Sequence, residues 1–300
     1  MPGVRRFEVD DVLYPFESHW YEWDGACMHY IDEGEGMPVV MLHGNPTWSF
    51  LYRKVIRQLR GTCRCIAPDY PGFGFSDHPK GYGYTPPEHA GWVKALLAHL
   101  ALDRYVLVMQ DWGGPIGLSI AVEAPEKVAG MLLLNTWCWA PLMNARLFSW
   151  VMGGPFREWM HQKHNVFARK VLPWGIAGSS KYDPDVIDAY LSPFSTYESR
   201  RGTAEFPYQI RKSSAWLAAI ENQLKLLKPV PKEMVWATKD PAFGSDAYIH
   251  RWRSYFPDIF VERVNDASHY LQEDCPEKIV AALGRVFDTI AIRENTEPDT

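Results

Sequence analysis

The sequence contains no apolar run long enough to cross a membrane, and its first residues, MPGVRRFEVDD, lack the apolar stretch of a signal peptide. The five cysteines are an odd number without a framework spacing, and Cys63 and Cys65 lie two apart in a predicted strand. These features argue against a secreted disulfide scaffold and predict a cytoplasmic protein in a reducing compartment.

Long blocks of one charge sign are also missing. The chain has 31 basic and 36 acidic residues and a formal net charge of −5. This balance gives no electrostatic reason to expect nucleic acid or a membrane surface as a partner, and small neutral ligands remain open. The sequence shows no internal repeat. Its 300 residues and 47% hydrophobic content suffice for one large domain or for a core domain with an insertion.

Short apolar runs that end in glycine-rich or proline-rich turns predict buried strands. They cover residues 38–44, 63–72, 105–110, 130–135, 233–238 and 259–264. Helical patterns separate several of these runs, and the helix after Thr85 begins with a capping box completed by Glu88. Further helices are predicted from about residue 114 to 123 and from about residue 276 to 290. The alternation predicts a mostly parallel sheet with helices on both faces and sites at the strand ends.

Residues 136–230 show a different pattern, with helices, loops and no obvious strand. The segment includes a helix start at Asp183 and the amphipathic run SAWLAAIENQLKLL. We therefore predict a helical cap at 136–230, inserted into a core formed by 1–135 and 231–300. Six of the 13 tryptophans fall between residues 137 and 216 and hint at an apolar pocket, although core packing explains any single one equally well: Trp137, Trp139, Trp150, Trp159, Trp174 and Trp216.

Asp111 lies in the run VLVMQDWGG, where a buried strand turns sharply into a helix. A nucleophile on such a turn lies beyond the carboxyl end of its strand. A carboxylate that attacks an sp³ carbon leaves a hydrolysable ester, and with a reference pKa of about 3.9 it needs no base to be ionised at neutral pH. The other interpretation of an aspartate at this position is a helix cap.

An ester intermediate requires a general base of near-neutral pKa to activate water. His269, in the run NDASHYLQED, is the candidate, and Asp240 in KDPAFG is the candidate acid that orients it. The order nucleophile, acid, histidine is that of the α/β-hydrolase fold. Three other acids lie closer to His269 in sequence and remain alternatives to Asp240, namely Asp266, Glu273 and Asp274.

The run HGNPTWS, residues 43–49, follows the strand VVML. Its turn is expected to bring the backbone N–H of Asn45 beside that of Trp112 as an oxyanion hole. The amide of Asn45 and the indole N–H of Trp112 are also candidate donors to a departing halide. Asn45 has the alternative role of satisfying backbone groups of its own loop.

Together these motifs resemble those of the haloalkane dehalogenases. The matching stretches are YIDEGEG, HGNPTWSFLYR, APDYPGFGFSD, MQDWGGPIGL, NTW, KDPAFG and SHYLQED, and they span the chain except for the cap. Asn135 occupies the position that holds a glutamate in one subfamily, so the resemblance assigns the acid to Asp240 and the halide donors to Asn45 and Trp112. Met109 is bulkier than the small residue usual at the start of the turn.

This combination is most similar to the third haloalkane dehalogenase subfamily, and it implies an α/β-hydrolase fold with a helical cap. It also implies a small apolar halogenated substrate, a halide product, no metal or organic cofactor and a tendency to self-associate. Phe167 and Tyr270 resemble pocket residues, with core packing as the alternative. His161 and His164 are predicted to share a solvated helix face, and Asp69 and His43 to stabilise loops.

Other functions of the same scaffold remain open. An epoxide hydrolase needs cap tyrosines, and Tyr182, Tyr190 and Tyr197 are candidates. A fluoroacetate dehalogenase is expected to carry arginines shortly after the nucleophile, and residues 112–122 contain none. A luciferase-type oxygenase and a non-catalytic ligand receptor are further alternatives.

Overall fold

A central eight-stranded sheet organises the computed structural model, which describes residues 3–296. The strands are β1 (His19–Trp23), β2 (Ala26–Glu33), β3 (Pro38–Leu42), β4 (Arg64–Pro68), β5 (Tyr105–Asp111), β6 (Val128–Thr136), β7 (Lys232–Ala237) and β8 (Phe260–Val264). Their spatial order is β1-β2-β4-β3-β5-β6-β7-β8. The pairs β1/β2 and β2/β4 are antiparallel and all others are parallel, which confirms the predicted mostly parallel sheet.

The α-helices follow the strands as the sequence predicts in the core. They are α1 (Arg53–Leu59), α2 (Pro86–His99), α3 (Gly113–Glu123), α4 (Met143–Met152), α5 (Leu172–Trp174), α6 (Pro184–Leu191), α7 (Arg201–Lys212), α8 (Ser214–Gln223), α9 (Asp246–Tyr255), α10 (Leu271–Asp274) and α11 (Pro276–Thr296). Helices α2 and α8 pack against α3, whereas α1 packs against α11. None of the helices within residues 3–296 combines the length and apolarity that a membrane span requires.

The capping box of α2 forms as predicted, because Glu88 Oε2 accepts the backbone N–H of Thr85 at 2.9 Å. Asp183 caps α6 by accepting the N–H of Asp185 at 3.0 Å. Both helix starts are therefore fixed by local side chains.

Between β6 and β7 the described chain is helical and contains no strand. Two segments are π-helical (Glu158–Lys163 and Phe167–Val171). Short 3₁₀ turns complete the connections in the chain: Ser49–Tyr52, Pro125–Lys127, Ser179–Tyr182, Ser192–Phe194, Glu198–Arg200 and Leu224–Leu227.

The prediction that His161 and His164 share a solvated helix face is wrong for His161. Its ring is buried, and Nε2 lies 2.7 Å from the carbonyl oxygen of Met152. This contact satisfies one ring nitrogen of a neutral imidazole, while Nδ1 is buried without a hydrogen-bond partner in the described residues. His164 is exposed.

The buried core extends through the parallel strands β3 to β7, whereas in the edge strand β8 only Val264 is buried. Asp69 and His43 stabilise loops as predicted: Asp69 accepts backbone N–H groups of Ser49 and Phe75 at 2.7 and 3.0 Å, and His43 Nε2 accepts that of Tyr70 at 3.2 Å. Burial alone would raise the pKa of Asp69, but His29 and these N–H groups lower it. The loops that follow β3 and β4 are therefore held rigidly.

Candidate active site

Asp111 is the last residue of β5 and has a left-handed backbone, with φ of +49°. Such a conformation is strained for a residue with a side chain and marks functional turns. The hydroxyl of Thr136 donates to the Asp111 carbonyl oxygen at 2.6 Å, and this bond ties the turn to the end of β6. The turn therefore presents the Asp111 carboxylate at the carboxyl edge of the sheet.

Close packing around this turn depends on glycines, two of which pack directly against Asp111 and Met109. A Cβ atom on Gly44 would lie 2.2 Å from Asp111 Oδ1, so only glycine lets the β3 loop approach the carboxylate. A Cβ atom on Gly117 would lie 2.6 Å from the sulfur of Met109. The missing side chain of Gly117 thus provides the space for Met109, the bulky residue at the start of the turn.

The two carboxylate oxygens of Asp111 have different neighbours. Oδ1 accepts the backbone N–H of Asn45 at 2.9 Å, and the backbone N–H of Trp112 lies close enough to lower the pKa of the carboxylate. Oδ2 lies 3.7 Å from His269 Nε2. Burial raises the pKa of Asp111 above its usual value, against lowering by His269 and by the two N–H groups. One oxygen is thus held by the backbone N–H of Asn45 while the other faces the histidine.

His269 lies on the loop after β8, and its Nδ1 is 2.9 Å from Asp240 Oδ2. Burial alone would lower the pKa of His269, but the charge and hydrogen bond of Asp240, and then the charge of Asp111, raise it. The structure therefore brings together the three residues that the sequence predicts as nucleophile, base and acid, with His269 between Asp111 and Asp240.

The three rival acids lie elsewhere or have other partners. Glu273 pairs with Arg53 and Lys54, and Asp274 accepts backbone N–H groups of Ala177, Gly178 and Ser268. Asp266 is exposed. Of the acids near His269 in sequence or space, Asp240 is the one that bonds to its Nδ1.

Asn135 holds Asp240 in place, a contact that the sequence analysis did not anticipate. Its Nδ2 donates to Asp240 Oδ2 at 2.8 Å and to the carbonyl oxygen of Ala237 at 3.0 Å, and its Oδ1 accepts the N–H of Ala237 at 2.8 Å. The second oxygen of Asp240 accepts the N–H of Ala242 at 2.7 Å. The sequence indicates this role of Asn135 only through its place near the end of a buried strand, where site residues of a parallel sheet lie.

A cavity of ≈ 200 Å³ lies above the Asp111 carboxylate. Asp111, His269, Asn45 and Trp112 reach it, and so do both predicted pocket residues, Phe167 and Tyr270. Three of the six singled-out tryptophans also line it, namely Trp137, Trp139 and Trp174. The cavity wall is thus largely apolar around a small polar floor, which suits an apolar ligand.

Asn45 and Trp112 present side-chain donors to this cavity. The Asn45 amide nitrogen has only a long contact of 3.4 Å, to the carbonyl oxygen of Thr203. The Trp112 ring is stacked on Phe206 with centroids 5.4 Å apart and meets Trp137 edge-on at 4.8 Å. These contacts fix the plane of the indole beside the nucleophile.

Residues 37–170 match the family model of the alpha/beta hydrolase fold. Haloalkane dehalogenase 2 of Mycobacterium tuberculosis is 41% identical over 281 residues, which are 92% of this chain and 97% of that protein. The chain belongs to the haloalkane dehalogenase family.

Two further matches extend this result. The crystal structure of haloalkane dehalogenase DbeA from Bradyrhizobium elkani superposes with a TM-score of 0.85 at 26% identity, covering 93% of this chain and 99% of that one. A cis-3-alkyl-4-alkyloxetan-2-one decarboxylase of Shewanella oneidensis is 32% identical, covering 95% of this chain and 93% of that protein. Relatives of this dehalogenase-family chain thus include a protein named for another reaction.

The tyrosines that an epoxide hydrolase would need do not reach the cavity of this haloalkane dehalogenase family member. Tyr182 and Tyr197 are exposed, and the buried Tyr190 donates its hydroxyl to Glu273. The hydroxyl of Tyr270, which does line the cavity, donates to the Asn45 carbonyl oxygen at 3.2 Å. Within residues 3–296, no cluster of three His, Cys, Asp or Glu side chains is arranged to bind a metal ion.

Proposed function

We propose that this protein hydrolyses carbon–halogen bonds of haloalkanes through an ester on Asp111. The observation that carries the proposal is the difference between the two Asp111 oxygens, of which Oδ1 is held at 2.9 Å by the Asn45 N–H. Oδ2 carries no such bond and is the oxygen we assign to attack. The 41% identity to a haloalkane dehalogenase over most of the chain supports the same reaction.

In the first step, Oδ2 of Asp111 forms a bond to the halogen-bearing carbon as the carbon–halogen bond breaks. The halide leaves with the electron pair, and the Asn45 amide and the Trp112 indole N–H receive it. A hydrogen bond to a charged partner contributes about 1.5–3 kcal/mol. Because Asn45 Nδ2 has only a contact of 3.4 Å in the empty site, little is lost when it turns to the halide.

In the second step, water attacks the carboxyl carbon of the ester and passes a proton to Nε2 of His269. Negative charge then develops on Oδ1, which the N–H of Asn45 already holds at 2.9 Å, and the N–H of Trp112 is the second donor that we assign to this oxyanion hole. The bond between that carbon and the alkyl oxygen breaks, and the alcohol leaves with the proton from His269. Asp240 stabilises the imidazolium formed in between, since it accepts from Nδ1 at 2.9 Å.

We further propose that residues 136–230 act as a cap over a core formed by 1–135 and 231–300. Support comes from the helical character of this segment and from the side chains that it contributes to the cavity, Phe148, Phe167 and Trp174 among them. An apolar cover excludes water from the first step and strengthens the electrostatic contacts inside.

The test combines a halide-release screen with mass spectrometry. The parent protein should release halide from at least one member of a panel of chlorinated, brominated and iodinated alkanes. His269→Phe should retain an alkyl adduct on Asp111, and the double variant with Asp111→Asn should not. No halide from any substrate, together with an unmodified His269→Phe protein that binds ligand tightly, would identify a receptor instead.

A second candidate activity is decarboxylation of a cis-dialkyl oxetan-2-one to carbon dioxide and an alkene. The relative that favours it is the Shewanella decarboxylase, which is 32% identical over 95% of this chain. A parallel assay for alkene formation distinguishes the two reactions. Alkene without halide release would replace the dehalogenase proposal.

Self-association and a cytoplasmic location stay predictions. Sedimentation velocity at several protein concentrations would check the first, and fractionation of the producing cells the second.

A further inference from the structure

Gln110 precedes the nucleophile in β5, and its fully buried side chain reaches His269 rather than the cavity. Its amide nitrogen lies 3.1 Å from Nε2 of His269 and 3.1 Å from the backbone carbonyl oxygen of the same residue. Two contacts to one residue from the neighbour of the nucleophile are more than core packing requires.

The second contact determines which end of the amide faces the imidazole. A carbonyl oxygen only accepts hydrogen bonds, so the group 3.1 Å from it must be the amide nitrogen and not the amide oxygen. That oxygen, Oε1, is buried and finds no hydrogen-bond partner in the described part of the chain. Leaving a buried acceptor unpaired is costly, which indicates that the donor contacts determine the orientation.

The first contact then determines the proton position on His269. Because the Gln110 nitrogen donates, Nε2 must accept and therefore carries no proton. The single ring proton lies on Nδ1, where it is donated to Asp240 Oδ2 at 2.9 Å. This neutral tautomer is the form that can take a proton from water at Nε2.

A competing arrangement lies close by. Protonation of Nε2 would place a positive imidazolium 3.7 Å from Asp111 Oδ2, in contact range of an ion pair. The titratable groups that face the ring are Asp111 from β5, Asp240 from the loop after β7 and the neighbouring Tyr270, whose ring centroid is 4.7 Å away. Both carboxylates favour the charged ring, whereas its burial and a donor aimed at Nε2 oppose it.

We propose that Gln110 is a positioning residue that keeps Nε2 of His269 unprotonated in the resting enzyme and so prevents its ion pair with Asp111. Asp111 then remains free to attack, and His269 remains a base. The catalytic consequence of this inference rests on the proposed ester mechanism. The proton position on His269 can be measured without any substrate.

The experiment is a ¹⁵N NMR titration of histidine-labelled protein, with the His269 signals assigned by their loss in His269→Phe. Gln110→Met keeps the volume and removes the donor. We expect it to raise the pKa of His269 by about half to one pH unit, which corresponds to one neutral hydrogen bond. Gln110→Glu replaces the donor by an acceptor for a protonated Nε2, so its shift should be larger. Gln209→Met, at a buried glutamine of α7 outside the cavity lining, should leave the titration unchanged.

The pKa of His269 should rise from the parent to Gln110→Met and further to Gln110→Glu. This order distinguishes a positioning role of Gln110 from a packing role. A residue that only fills space would change thermal stability in Gln110→Met and leave the His269 titration where it was, and this result would overturn the proposal. An Nε2-protonated neutral tautomer in the parent would overturn it as well. If no halide is released but the His269 pKa values of the parent and the two variants follow the expected order, the dehalogenase function is rejected and the Gln110 assignment stands.

Discussion

Asn135 Nδ2 donates to Asp240 Oδ2 at 2.8 Å, and that same oxygen lies 2.9 Å from Nδ1 of His269. The amide also bridges to both backbone groups of Ala237 in β7. A neutral side chain from β6 thus holds the acid that follows β7 against the histidine that follows β8. Asparagine here is compatible with a charged Asp240, whereas a carboxylate at the same place would repel it.

Replacing Asn135 by alanine should weaken both the fold and the second chemical step. The change leaves buried groups of Ala237 unpaired, and we expect a loss of about 1–3 kcal/mol in the free energy of unfolding. Hydrolysis of the ester should slow because Asp240 loses a partner. Urea unfolding and single-turnover kinetics measure the two effects, with the exposed Asn222→Ala as control. Unchanged ester hydrolysis would contradict the role of Asn135.

Asp240→Asn should lower the rate of ester hydrolysis by about 10⁴-fold, as loss of the orienting acid does in other histidine-based triads. An amide that donates to Nδ1 forces the ring proton onto Nε2, which can then no longer accept from water. The ester should accumulate and be visible by mass spectrometry. Asp266→Asn changes an exposed acid that is closer to His269 in sequence, and it should have no such effect. If Asp266→Asn slowed ester hydrolysis and Asp240→Asn did not, Asp266 would be the orienting acid instead.

Local signals explain which parts were predictable. The capping box at Thr85 and Glu88, the turn at Asp111 and the apolar runs of the central strands are all encoded within a few residues, and the structure confirms them. The predicted site residues meet because parallel strands end at one edge of the sheet.

The missed features depend on contacts between distant residues. Neither β1 nor β2 is predicted, because β1 (HWYEW) shows no apolar alternation and β2 carries the polar His29 at a fully buried position. His29 is buried because its Nδ1 lies 2.8 Å from Asp69, which is 40 residues away. The bonds of Gln110 to His269 likewise span 159 residues, and no short-range pattern in the sequence reveals them.

Trp112→Phe should keep the ring stacking on Phe206 but remove the indole N–H from the cavity. Loss of one hydrogen bond to a charged partner predicts a decrease in kcat/KM of about ten-fold to a hundred-fold where carbon–halogen cleavage limits the rate. Product inhibition by bromide should weaken in the same variant. Trp23→Phe, at a partly exposed tryptophan of β1, serves as control. Normal bromide inhibition in Trp112→Phe would contradict the halide site.

The pH dependence of ester hydrolysis should differ from the titration of the free enzyme. The negative charges of Asp240 and Asp111 raise the pKa of His269 against the effect of burial. Alkylation removes the charge of Asp111, so the pKa of His269 in the ester should be lower than in the free protein. The base must be neutral, and hydrolysis therefore rises with pH through this lower value. Single-turnover rates compared with an NMR titration measure the difference, and a hydrolysis limb at or above the free-enzyme pKa would contradict it.

Glu273→Gln should destabilise the fold, because Glu273 is buried and pairs with Arg53 and Lys54 of α1 and with Tyr190 of α6. Burial alone would raise the pKa of Glu273, but Arg53 and then Lys54 hold it at about 2.

Removing one partner of a buried ion pair costs about 3–5 kcal/mol, and this loss should appear at neutral pH. Since the folded pKa is depressed below the unfolded value of about 4.3, the contribution is present above that value and is lost as pH falls toward 2. The stability difference between parent and Glu273→Gln should therefore shrink below pH about 4. Urea unfolding across this range measures it, with the exposed Glu277→Gln as control. A difference that stays constant down to low pH would show that packing, and not charge, accounts for the role of Glu273.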